Sequence, residues 1–129
     1  MAPQKGINGG QYRDETLLPA MDLNNVLTFV TEDWRLGELG VINTTLRGLG
    51  RRTFEVPARG GGTRTIRGII QLTTHNSFMA FGPRSRRTTV ATHFHQAHGV
   101  WVHHPEDRMV FLAENPGSMY PVEVVVVAV

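Results

Sequence analysis

The stretch PVEVVVVAV, residues 121–129, constrains the fold more than any other part of the chain. Alternation of apolar and polar residues stops at Glu123, and Val124 to Val129 form an unbroken apolar run. β-Branched side chains favour strands, and a strand that is apolar on both sides must be covered on both faces. On an open edge it would be an aggregation site. It is therefore expected mid-sheet or in an interface with another subunit.

The residues from Arg51 onward carry the same punctuation, with short apolar or alternating runs separated by glycine, proline and charged turns. RTFEVPA, TRTIRGIIQLT, SFMAFG, RTTVATHFH, GVWVHH, RMVFLAE and PVEVVVVAV read as strands. The expectation is a mainly β (α+β) fold: an antiparallel sheet, sandwich or barrel of about seven strands, preceded by an extended N-terminal arm and a short helix. Residues 1–20 contain Pro3, Gly6, Gly9, Gly10 and Pro19 and show no periodicity, which reads as a flexible arm. Residues 21–129 read as one β-rich domain. Leu23, Val26, Leu27, Val30 and Trp34 fall at helical spacing behind Asp22 as N-cap, so a helix is expected over 23–35. The four glycines of LGELGVINTTLRGLG make any second helix short or irregular.

A chain of 129 residues suffices for one core. It has no cysteine, which excludes disulfides and thiolate chemistry, so any metal site must use His, Asp or Glu. MAPQKGINGG does not resemble a secretory signal, and no stretch approaches the roughly 20 apolar residues of a membrane-spanning helix. No membrane partner is expected, and the location reads as virion or cytoplasmic. Twelve of the thirteen basic residues are arginine, which suits phosphate and carboxylate contacts. GC-rich coding produces the same bias.

Five of the six histidines lie in THFHQAHGVWVHH, residues 92–104. Read as a hairpin with Gln96, Ala97, His98 and Gly99 as its loop, the stretch collects Phe94 and Trp101 on one face. The other face collects His93, His95 and His104. Three imidazoles are the minimum for a divalent site such as zinc, with Glu106 or Asp107 as base or fourth ligand. This is the alternative to an expected absence of cofactor. Ordinary exposed sheet and turn positions, or a pH-sensitive contact, account for the same residues.

PARGGGTR and GPRSRR are arginine-rich connections. In an up-and-down sheet they would share a pole with HPED, making Arg59, Arg64, Arg84, Arg86 and Arg87 one basic cluster for nucleic acid or an acidic partner. Neither is a P-loop, because no Gly-Lys-Ser/Thr follows the glycines. The cluster lacks exposed aromatics nearby in sequence, which weakens sequence-specific single-strand recognition. No serine lies in a nucleophile elbow, and Glu114 and Glu123 pair only if their strands are neighbours. Tyr120, in NPGSMYP, reads as loop.

The arm, the glycine-arginine loops, the terminal apolar strand and the lack of a catalytic motif point to a self-associating structural subunit rather than an enzyme. A viral or phage virion component (capsid, decoration, connector or tail) is the expected form, with copies of itself or other assembly subunits as partners. A metal-dependent enzyme or metal-binding β domain is the alternative. A nucleic-acid-binding module acting through the arginine-rich loops is the third reading.

Overall fold

The computed structural model describes residues 20–128, so the expected arm lies outside the described residues except for Ala20. Ala20–Asp22 form strand β1, and helix α1 follows directly over Leu23–Val30. Leu23 and Leu27, one helical turn apart, are buried. The helix stops at Val30 rather than at 35 because Thr31 leaves helical geometry (φ −156°) and a series of turns follows. Trp34, expected on the helix, is fully buried from these turns, with its ring N–H donating to Thr28 Oγ1 at 3.3 Å. Helix α2, Leu39–Arg47, starts where the Glu38 carboxylate accepts the Val41 N–H at 2.8 Å, and it buries Ile42 and Leu46.

The remaining elements are β2 (Arg52–Pro57), β3 (Thr63–Gly68), β4 (Ile70–Asn76), β5 (Ala80–Phe81), β6 (Thr88–Thr89), helix α3 (Val90–His98), β7 (Arg108–Leu112), β8 (Asn115–Pro121) and β9 (Val126–Ala128). They form a sheet of order β1-β9-β2-β3, a second of order β4-β7-β8, and a ribbon β5-β6, with every pairing antiparallel. Among the described residues the fold is thus mainly antiparallel β with three helices, an α+β arrangement of open sheets, and nine short strands stand where about seven were expected.

The valine-rich segment lies mid-sheet, as β9 between β1 and β2. Strand β9 takes only Val126–Ala128, however, because Val122–Val124 make a 3-10 turn between β8 and β9. Val122, Val125 and Val127 are buried with Phe54 and Val56 of β2, Ile70 and Leu72 of β4, and Met109, Val110 and Leu112 of β7.

Four expected strands are corrected. TRTIRGIIQLT is two strands, broken after Gly68, and in SFMAFG only Ala80 and Phe81 pair. RTTVATHFH contributes just Thr88 and Thr89 before it becomes helix, and GVWVHH is irregular. In addition, NPGSMYP is strand β8, not a loop. Pro116 and Gly117 are tolerated there because β8 is an edge strand, paired with β7 alone.

The side chains of Arg47, Gln71 and Asn43 tie α2 to the second sheet. Asn43 Nδ2 donates to the Leu72 carbonyl at 2.9 Å while its Oδ1 accepts the Leu72 N–H at 2.7 Å. Both main-chain groups of a strand residue point to the same side, so Leu72 turns them toward α2, and the asparagine amide substitutes there for a neighbouring strand.

Candidate functional site

Helix α3 explains why the histidines do not cluster. Thr89 Oγ1 accepts the Thr92 N–H at 3.1 Å as N-cap, and Gly99 ends the helix in the left-handed region (φ 68°). Val90 and Phe94, four residues apart, bury one face. Residues two apart lie on opposite sides of a helix, so His93 and His95 diverge. His95 stacks on Trp101 with ring centroids 3.6 Å apart. His104 lies in the loop after α3, with Nδ1 3.6 Å from Glu106 Oε2. His93, His95 and His104 therefore form no ligand set, and among the described residues no group of three His, Asp or Glu is placed to hold a metal ion.

The helix instead turns Val90, His93, Phe94 and His98 toward a cavity of about 440 Å³. The β2–β3 hairpin supplies Pro57, Arg59 and Arg64, the β5 side Met79 and Phe81, and β8 the stretch Gly117 to Tyr120. Arg59 is carried by the turn Arg59–Gly62, in which Gly60, Gly61 and Gly62 all take positive φ (82°, 103° and 69°). Three successive residues in that region need glycine, so this run is a requirement of the hairpin tip.

Ring contacts join the cavity walls. His93 meets Phe81 edge-on at 5.3 Å and His98 at 5.4 Å, and Phe94 lies 5.0 Å from His98 and 6.4 Å from Tyr120. Arg64 Nη2 donates to the Tyr120 hydroxyl at 3.0 Å, which anchors one guanidinium against β8. His98 Nδ1 is 2.9 Å from the Ala58 carbonyl. A carbonyl can only accept, so Nδ1 carries the proton and Nε2 is left for other partners. Burial, then the neighbouring His98 and the Arg59 guanidinium, holds the His93 imidazole below the ordinary histidine range. None of the lining residues is acidic.

The five expected arginines separate. Arg59 and Arg64 line the cavity, whereas Arg84, Arg86 and Arg87 are exposed around the turn that joins β5 to β6 and do not line it. HPED belongs elsewhere too, since Asp107 accepts from Arg35 Nε at 3.2 Å, and His104 and Asp107 line a smaller polar recess. Glu114 and Glu123 do not pair. Glu114 Oε1 accepts the Ile69 N–H at 3.0 Å, and Glu123 accepts the main-chain N–H groups of His103 and His104 at 2.8 and 2.7 Å. The Ile69 bond, reinforced by Arg51, holds the Glu114 carboxyl below its ordinary range.

The aromatics missing from the neighbourhood of the arginines in sequence are thus supplied by tertiary structure. Phe81, Phe94, His98 and Tyr120 escaped the sequence reading. The available signal was Thr89 and Gly99 as caps around Val90 and Phe94.

No protein-family model matches the chain, and no curated protein matches it. Among solved structures, it is similar to the PAZ domain of Drosophila Argonaute 2, described for its 3′ end recognition of nucleic acids. The likeness has 15% identity and a TM-score of 0.52, covering 84% of this chain and 94% of that one. It is a likeness of fold. It corrects the expectation of a virion subunit, because the shared architecture is that of a PAZ domain and not of a capsid, decoration, connector or tail component. No helix among the described residues is long and apolar enough to cross a membrane.

Proposed function

We propose that the chain is a nucleic-acid-binding module that holds the end of a single strand in the cavity between the β2–β3 hairpin, α3 and β8. The observation that carries this reading is the conjunction of Arg59 and Arg64 with the rings of Phe81, His93, His98 and Tyr120 in one acid-free cavity. Guanidinium groups attract phosphate oxygens, and aromatic and imidazole rings offer surfaces on which bases stack regardless of sequence. Tyr120, fixed by Arg64, adds a hydroxyl for the sugar-phosphate backbone. The fold shared with a domain described for 3′ end recognition supports the same assignment.

The test compares a fluorescent linear single strand with a circular strand of the same sequence, by anisotropy or competition. The linear strand is expected to bind and the circle to compete poorly. Arg59→Gln should weaken binding of every sequence alike and flatten the salt dependence by roughly 0.7 in log–log slope, the contribution of one phosphate contact on a single strand. Equal competition by the circle would show that no end is read. Absence of binding by any strand at low salt would reject the proposal.

A further inference from the structure

We infer that the strand end this cavity prefers carries a phosphate monoester rather than a free hydroxyl. The inference rests on the end-binding reading above and names the chemistry of the end. An internal phosphodiester carries one negative charge, whereas a terminal monoester carries between one and two near neutral pH and offers three acceptor oxygens. The cavity is built for the larger demand. Its wall holds two guanidinium groups and two imidazoles with no carboxylate to neutralise them.

The arginine ion pairs among the described residues join Arg35 to Asp107 and Arg51 to Glu114, so neither Arg59 nor Arg64 is engaged by an acid there. Arg64 is oriented by the Tyr120 hydroxyl, which occupies one of its five N–H donors and leaves the others. His98 is oriented by Ala58, so a proton taken up at Nε2 points away from that carbonyl as a further donor.

His93 faces His98 on its own helix, Phe81 on β5 and Arg59 on the hairpin tip. Burial, then His98 and Arg59, lowers the His93 pKa in the free protein, and a phosphate monoester placed among these groups opposes that shift and favours protonation of the ring. Binding of a phosphorylated end should therefore take up protons, and a hydroxyl end should take up fewer.

The experiment uses four strands of one sequence on the intact chain: 3′-hydroxyl, 3′-phosphate, 5′-phosphate with a 3′-hydroxyl, and a circle. Affinities are measured at pH 7 and 0.15 M salt. One phosphorylated end is expected to bind at least tenfold more tightly than the hydroxyl strand, and the two phosphate arms identify which end supplies it. Arg59→Gln, in an exposed turn, should weaken the phosphorylated strand more than the hydroxyl strand and so cut that advantage below threefold. Equal binding of hydroxyl and phosphate ends, both above the circle, would overturn the monoester preference and leave end binding intact. An advantage that survives Arg59→Gln and a second substitution, His98→Gln, would also overturn it. Failure of every strand to bind would remove both this inference and the reading beneath it.

Discussion

Replacing Asn43 by alanine removes both hydrogen bonds by which its amide serves Leu72, at 2.9 and 2.7 Å. Leu72 is 1% exposed, so its N–H and carbonyl would lose their partners in a nearly dry setting. A net hydrogen bond contributes about 1 kcal/mol, and a buried group left unpaired costs about 1–3 kcal/mol. Entry of water along the half-buried asparagine side would recover part of this. The expected loss is about 2–4 kcal/mol of unfolding free energy, a large share of the roughly 5–15 kcal/mol that holds a small domain folded. Urea unfolding followed by the fluorescence of buried Trp34 reports it. At a slope of about 2 kcal/mol per molar, the middle of the usual range, the midpoint should fall by roughly 1–2 M with the slope unchanged. Thr45→Ala, an exposed position on the same helix, is the control and should stay within about 0.5 kcal/mol. If Asn43→Ala also stayed within that range, the asparagine would not be completing the edge of β4.

Two further outcomes concern titration. His93 should titrate below the ordinary histidine range in an NMR titration of its ring protons. The unfolded chain then takes up a proton first as pH falls. Stability is therefore lost progressively below about pH 6.5, the unfolded histidine value, until the folded value is passed. His93→Asn should remove that part of the acid slope, and an ordinary or raised value for His93 would contradict the burial, and then the His98 and Arg59 neighbours, described for it. At Gly68, an added Cβ would sit 2.5 Å from Glu114 Oε1, so Gly68→Ala should push the carboxylate off the Ile69 N–H and return its lowered pKa toward the ordinary range. An unchanged Glu114 titration would count against this packing.

The β character after Arg51 was legible because glycine and proline cut the chain into short runs. The two apolar faces of the valine segment required cover, mid-sheet or in an interface, and β9 takes the first of these places. What misled was residues 88–98, where β-branched Thr88, Thr89, Val90 and Thr92 share a stretch with cap residues. Period two and period 3.6 fit so short a run equally well, and Gly99 serves a hairpin or a helix end alike. Read as a strand, the stretch puts the three histidines on one face, and the metal alternative depends on a period of two that helix α3 does not have. Arg59 and Arg64 were recoverable as basic loop residues. Their aromatic neighbours were not, because Phe81, Phe94 and Tyr120 come from three elements whose meeting depends on tertiary packing.

The position of β9 also sets an order of events. Its partner β2 pairs with β3 through a hairpin of a few residues, but Phe54 finds Val127 only roughly seventy residues later. Local contacts form fast, and the entropy of closing a long loop must be met before distant ones form. The β2–β3 hairpin that carries Arg59 and Arg64 can thus form early, while the opposite edge of β2 stays open until Val126–Ala128 arrive. During synthesis that edge is exposed for most of the chain's length, so the segment most in need of cover is also the one whose delay leaves the hairpin unpaired.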